Sequence, residues 1–164
     1  MRVFVGLGSN VGDRLGSLRD AVVALRATDG MEIVATSSVY ETDPVGPEQP
    51  DFLNAVVELD TDLAAEELLR VFKAIESKLG RVTRGRWGPR EIDIDLLAYG
   101  DRTIDSGELT VPHPQIAARA FVLAPFEEIA PAYDIPAVGD TSSLLARLGR
   151  EGVRLFGPKE LLSD

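Results

Sequence analysis

Asp93 and Asp95 stand two residues apart in Glu91-Ile92-Asp93-Ile94-Asp95-Leu96-Leu97, where charged and apolar residues alternate. On a strand, that period puts both carboxylates on one face, roughly 6.5–7 Å apart along the chain, and Ile92, Ile94 and Leu96 on the other. Adjacent carboxylates repel unless a cation lies between them or one is protonated. The chain has no cysteine and one histidine, so its oxygen ligands favour a hard cation such as Mg²⁺ over zinc. Taken alone, such a run more commonly marks ordinary surface acids. Its neighbour shifts the balance. Residues 81–90 (RVTRGRWGPR) hold four arginines and no acid, a net +4, whereas residues 1–80 and 91–164 each carry −7. The planar fork of arginine binds phosphate oxygens bidentately, so this loop reads as an anion clamp or, equally on its own, as a solvated loop balancing acidic neighbours. Beside the aspartate pair the better reading is a metal–phosphate site, with Mg²⁺ between the carboxylates and a polyphosphate.

Other residues carry weaker signals. No G-x-x-x-x-G-K-[ST] motif is present, which excludes a P-loop enzyme. The string G-L-G-S-N-V at 6–11 has Val11 where a dinucleotide fingerprint has its third glycine, and it is read as a strand-ending turn. His113 lies in the stiff segment Val111-Pro112-His113-Pro114, with Arg119 six residues on; it fits a phosphate donor, a general acid/base or a loop histidine held by a backbone hydrogen bond. Trp87, between Arg86 and Gly88-Pro89, suits stacking on a flat ligand. Phe52 and Asn54 place an aromatic beside an amide, a pair that can stack on and hydrogen-bond a heterocycle; Phe52 equally suits the core face of a strand.

The elements that must position these groups follow from periodicity. Strands are expected at Arg2 to Gly8, Met31 to Tyr40, Phe52 to Leu59 and Glu91 to Tyr99. A helix follows Asp13, with Leu15, Leu18, Val22 and Leu25 on one face, and a second follows Thr61 or Asp62 as cap, with Leu68, Phe72, Ile75 and Leu79 buried. Glu41 to Asp51, rich in proline, is a loop. The order strand, helix, strand, strand, helix, strand predicts an α+β fold, a ferredoxin-like βαββαβ sandwich with a mostly antiparallel sheet and helices on one face. A short strand is expected at Leu109 to Val111, and helices at Ala117 to Glu128, where Pro125 must start or break the helix, and at Ser142 to Arg150. The tail is expected to close over the sheet edge.

The 164 residues suit one domain, with 45% hydrophobic and 27% charged residues. A net charge of −10 disfavours nucleic-acid and membrane-surface partners. The absence of cysteine, of a signal peptide and of an 18-residue apolar run predicts a cytoplasmic protein. A monomer is expected, because no segment offers a long exposed apolar stripe.

Several segments together resemble 6-hydroxymethyl-7,8-dihydropterin pyrophosphokinase, a folate-pathway family. They are G-L-G-S-N at 6–10, S-S-V-Y-E-T at 37–42, P-V-G-P-E-Q-P-D-F-L-N-A at 44–55, G-R at 80–81, R-W-G-P-R-E-I-D-I-D at 86–95, L-T-V-P-H-P at 109–114 and R-A-F-V-L at 119–123. The resemblance implies transfer of pyrophosphate from ATP to the pterin hydroxymethyl oxygen, releasing AMP. It implies that Asp93 and Asp95 hold two Mg²⁺ ions, that Arg81 and Arg90 contact phosphates, and that His113 and Arg119 assist at the ATP side. By the same resemblance Phe52 and Phe121 sandwich the pterin, while Asn54 and the stretch Thr42, Asp43 and Val45 read its edge. Trp87 closes over the site, and Lys73, Glu76, Arg84, Leu96 and Thr110 line the nucleotide pocket. The chain departs from many relatives at Thr83, followed by Arg84, at Gln115, and at Asp43, which adds a charge beside the pterin.

Three rival readings remain: another kinase or nucleotidyltransferase on the same sandwich, a non-catalytic Mg²⁺–ATP sensor, and an RNA-binding sheet. Reaction products separate the first two. The confinement of the basic cluster to one loop disfavours the third.

Overall fold

A computed structural model describes residues 1–46, 48–80 and 91–163. The arginine-rich loop, with Arg81, Arg84, Trp87 and Arg90, lies outside the described residues. The elements run β1 (Arg2–Ser9), α1 (Arg14–Arg26), β2 (Met31–Thr36), β3 (Val39–Thr42), β4 (Phe52–Thr61), α2 (Ala65–Lys78), β5 (Asp93–Tyr99), β6 (Ile104–Ser106), β7 (Leu109–Val111), α3 (Ala120–Ile129), β8 (Asp134–Ile135), β9 (Gly139–Asp140), α4 (Thr141–Leu148) and β10 (Val153–Gly157). The main sheet has the order β10-β3-β4-β1-β5, with β2 also paired to β4, and all its ladders are antiparallel. β1 and β3 thus run parallel with β4 between them, and β4 and β5 run parallel with β1 between them. These are two interleaved βαβ units, each with one helical crossover.

The period-two pattern of β1 sorts its side chains. Val3, Val5 and Leu7 join Leu18, Val22, Leu68 and Phe72 in the core under α1 and α2. Phe4 joins Val122, Leu123 and Phe126 of α3 in a second core on the opposite face, where its ring meets Phe126 at 4.5 Å and Tyr133 at 4.8 Å. Helices therefore cover both faces, not one as the strand–helix order suggested. The extra layer comes from residues beyond the four-strand pattern.

Other departures have local causes. The stretch 31–40 is two strands, because Ser37 interrupts the ladder. Its hydroxyl accepts from Val56 N at 2.9 Å, while its own N–H donates to Val56 O at 2.9 Å. Glu128 of α3 braces the break: its carboxylate accepts from Ser38 N, Ser38 Oγ and, at 2.6 Å, Tyr40 Oη. Burial, and then the Glu128 hydrogen bond and charge, push the Tyr40 phenol up to about 12. Neither Thr61 nor Asp62 caps α2. Thr61 Oγ1 instead accepts from Leu63 N, and Glu67 accepts from Ala64 N at the helix start. Pro125 lies inside α3 without ending it. Its buried ring packs in an apolar layer, which offsets the helical bond its missing N–H cannot give to Phe121 O. The loop after β3 begins at Asp43, two residues later than expected, and the tail does close the sheet edge, as β10 on β3. No helix among the described residues is long and apolar enough to cross a membrane.

Candidate active site

The face of the sheet under α3 carries every second residue of β1, β4 and β5. Asn54 and Asp93 both lie opposite Gly8, on either side of it, and Val56 and Asp95 lie opposite Gly6 in the same way. Each glycine thus leaves an open strip between a residue of β4 and a carboxylate of β5. These residues line one cleft, together with Phe52, Thr42, Asp43 and Val45 on the β3–β4 side and Arg119 and Phe121 at the start of α3. With strands about 4.8 Å apart, the backbones bearing Asn54 and Asp93 are about 10 Å apart, enough for a bicyclic heterocycle between them.

The G-L-G string is therefore not a strand-ending turn. β1 continues to Ser9, because Val3, Val5 and Leu7 bury their face and both strand edges are paired. Glycine in a strand costs about 0.5–1 kcal/mol relative to alanine, and here it keeps the cleft floor clear. A Cβ on Gly8 would stand 2.9 Å from Asn54 Nδ2 and 3.6 Å from Phe52, and one on Gly6 would stand 3.4 Å from Leu97. The signal was in the sequence: Gly6 and Gly8 fall in step with Phe4 on the face opposite the apolar one, where a glycine marks close approach.

Asn54 is buried and held. Its Oδ1 accepts from Thr42 Oγ1 at 2.5 Å, and its Nδ2 donates to Leu7 O at 3.4 Å. The amide therefore turns its donor end toward the cleft floor. Phe52 and Phe121 both line the cleft, and among the described residues no ring–ring contact joins them. Neither ring is stacked on the other, so both can stack on a flat ligand, Phe121 with the Arg119 guanidinium 5.5 Å from its ring centroid.

Asp93 and Asp95 lie on the cleft face of β5, while Ile94 and Leu96 enter the core under α2. Leu96, expected at the nucleotide, has its side chain in that core. Glu76, also expected there, is buried behind β5, where its Oε2 accepts from Ile94 N at 2.7 Å. It thereby fixes the peptide between the two aspartates. The stripe Leu68, Phe72, Ile75 already placed position 76 on the buried side of α2. Lys73 is exposed in a separate groove with Glu66, Ser106 and Glu108, and Thr110 is exposed on β7. Neither lines the cleft.

Arg119 donates to Gln115 Oε1 and lies 5.5 Å from the Phe121 ring centroid. Burial lowers its pKa, and the charges of Asp95 and Asp93 pull it back up, which puts the guanidinium within electrostatic reach of both carboxylates. The segment bearing His113 is tied to β5 by His113 N to Leu97 O at 3.0 Å. His113 Nδ1 accepts from Gln115 N at 3.2 Å, so Nε2 carries the proton in the neutral ring. Burial, assisted by the Arg119 charge, lowers the imidazole to about 4. His113 is therefore a neutral hydrogen-bond donor at pH 7, not a cation.

The consequence is measurable, because His113 is the chain's one histidine. The ligand-free protein will show one pair of imidazole C–H proton NMR signals, Hδ2 and Hε1, titrating together near pH 4 rather than 6.5. The folded state then holds fewer protons than the unfolded one between those values, so His113 contributes a loss of stability as pH falls through that window. A midpoint at 6.5 would refute the depression by burial, and one well above 7 would refute the neutral donor itself.

Among the described residues no group of three or more His, Asp or Glu gathers into a metal cage. Two carboxylates on one strand face suit Mg²⁺ all the same, since that ion is usually held by one or two carboxylates plus substrate phosphates.

A family model for 7,8-dihydro-6-hydroxymethylpterin-pyrophosphokinase (HPPK) matches residues 4–131. The chain is 47% identical over 154 residues to a 2-amino-4-hydroxy-6-hydroxymethyldihydropteridine pyrophosphokinase of Methylorubrum extorquens, covering 93% of this chain and 96% of that one. It is 45% identical over 137 residues to the Synechocystis protein of the same name, covering 84% and 70%. A solved Plasmodium falciparum HPPK-DHPS with SDX-DHP superposes with a TM-score of 0.73 at 15% identity, covering 94% of this chain and 48% of that one. An HPPK-DHPS in complex with substrates gives 0.70 at 13% identity, covering 89% and 43%. At those identities the structural likeness speaks for the fold alone, and the chain spans less than half of the solved chains.

Proposed function

The chain belongs to the 7,8-dihydro-6-hydroxymethylpterin-pyrophosphokinase family, and from that premise we propose how its cleft works. The enzyme transfers pyrophosphate from ATP to the hydroxymethyl group of 6-hydroxymethyl-7,8-dihydropterin, in folate biosynthesis, leaving AMP. The pterin lies over the glycine strip of β1, stacked by Phe52 and Phe121. Asn54 reads its ring edge, assisted by Thr42 and by Asp43 and Val45 at the start of the loop. Its hydroxymethyl group points across Gly8 to Asp93. The row Asn54–Gly8–Asp93 is the observation that carries this reading: a fixed amide, an open strip and a carboxylate, in that order.

Asp93 and Asp95 would hold two Mg²⁺ ions, which neutralise the polyphosphate and polarise its phosphorus centres. Arg119 supplies positive charge from the opposite wall, and the His113 Nε2–H donates to a phosphate oxygen without bringing a second cation. Arg81 and Arg90 contact phosphates, with Arg84 and Trp87 on the nucleotide side; Lys73 and Thr110, outside the cleft, would meet only a nucleotide part that extends beyond it, and Glu76 and Leu96 support β5 from behind. Phosphoryl transfer asks the protein for position and charge rather than for a covalent nucleophile, and these residues provide both. The strand order fits a ferredoxin-like sandwich, extended by the α3–β10 segment into a single domain over 1–164 that acts as a monomer.

The test is a product assay with protein, ATP, Mg²⁺ and the pterin. AMP will appear in step with the pterin diphosphate, and only when pterin is present. ADP would indicate a simple kinase and released pyrophosphate a nucleotidyl transfer; ATP binding without turnover would leave a sensor.

A further inference from the structure

We propose that Arg154, on the C-terminal strand, is a positioning residue that staples together the two ends of the substrate-side loop, residues 43–51. The proposal rests on the reading of that loop as the pterin side of the cleft. Arg154 lies past residue 131, where the family match ends.

One guanidinium reaches both ends of the loop. Arg154 Nη1 donates to Asp43 Oδ1 at 3.0 Å, where the chain leaves β3, and Nη2 donates to Asp51 Oδ2 at 2.5 Å, where it enters β4. Nε lies 3.5 Å from Glu41 Oε1. The backbone joins at the same place: Asp43 N donates to Gly152 O at 2.9 Å. Gly152 has φ +77°, and a Cβ there would stand 2.9 Å from Asp43 Oδ2, so this approach needs glycine. From the other side, Arg14 of α1 donates to Glu41 Oε2 at 2.9 Å and to Asp51 O at 3.0 Å.

A single exposed ion pair contributes little, because solvent screens it and two long side chains must be ordered. Here the same fork engages three carboxylates and closes a loop, so its effect appears in the loop's opening equilibrium rather than in global stability. The hydrogen bond to Asp43 and the nearby acidic charges hold the guanidinium pKa above its ordinary value. Asp43 and Val45 line the cleft directly, so fixing the loop ends sets the wall that meets the pterin. This assigns a role to Asp43: its charge is the partner of Arg154. Lysine cannot replace the fork, because one ammonium cannot reach Asp43 and Asp51 with the same geometry.

The first measurement is hydrogen exchange on ligand-free protein, wild type against Arg154→Ala. Amides of the loop will exchange about tenfold faster in the variant while those of β1 and β4 stay unchanged; unchanged loop exchange overturns the staple. The second is steady-state kinetics. Arg154→Ala and Arg154→Lys will both raise the pterin KM about fivefold, with the ATP KM and the kcat at saturation within about twofold of wild type. Full rescue by lysine, an unchanged pterin KM, or equal changes for both substrates would overturn the positioning role. If the wild type fails to use pterin at all, the proposed function falls, and the exchange experiment still decides whether the staple exists.

Discussion

Asp95→Asn will lower the rate of AMP formation by about a thousandfold or more, and Asp93→Asn by a similar factor, with the fold intact. The size of the effect follows from what the pair does. Each carboxylate carries part of the charge neutralisation for a polyphosphate, and stabilisation of developing charge in a shielded cleft is commonly the largest catalytic contribution. Asparagine keeps the shape and removes the charge. The ladder is untouched, since Asp93 and Asp95 pair with Gly8 and Gly6 through the backbone and their side chains line the cleft rather than the core. The discriminating measurement is the thermal shift on adding Mg²⁺ and ATP, present in wild type and much reduced in both variants. Turnover within tenfold of wild type in either variant would remove that aspartate from the site.

The aspartate pair was legible because the evidence for it is local: period-two alternation over five residues names both the strand and its wet face. Phe52 and Asn54 read as an aromatic beside an amide, and β4 puts both on the cleft side. What escaped depends on partners far along the chain. Gly6 and Gly8 look like breaks until β4 and β5 flank them on both sides, and only then does a missing side chain become a floor. Glu76 shows its charge in the sequence but not the backbone amide that uses it, a hydrogen bond 18 residues away. Ser37 hides in a stretch of strand formers because its hydroxyl stands in for a main-chain group. From the sequence Pro125 should start or break a helix, yet an apolar layer of α3, α4 and the sheet holds that helix together around it. The tail is the extreme case: β10 has no internal signal strong enough to place it, and its meaning lies in Asp43 and Asp51, more than a hundred residues earlier.

Asn54→Ala will lower kcat/KM for the pterin by about a hundredfold and leave the ATP KM nearly unchanged. A buried polar group on a bound ligand that loses its partner costs about 1–3 kcal/mol. The loss here sits toward the upper end, because Asn54 is 8% exposed and water cannot easily replace it. The arrangement also predicts which chemistry matters. Thr42 Oγ1 donates to Asn54 Oδ1, so the amide oxygen is already engaged and the amide nitrogen is the end left for an acceptor on the heterocycle. Asn54→Asp keeps the shape and the bond to Thr42 but replaces that donor with a negative oxygen, so it will be at least as harmful as alanine. Thr42→Val removes the pin while leaving the amide, which can then turn over; its expected cost is about tenfold. The two effects act through one group and will not add: Thr42→Val in an Asn54→Ala background will change the pterin kcat/KM by less than about twofold. Additive losses would mean that Thr42 meets the pterin directly. Equal losses toward ATP and pterin would mean that Asn54 holds the sheet rather than the substrate.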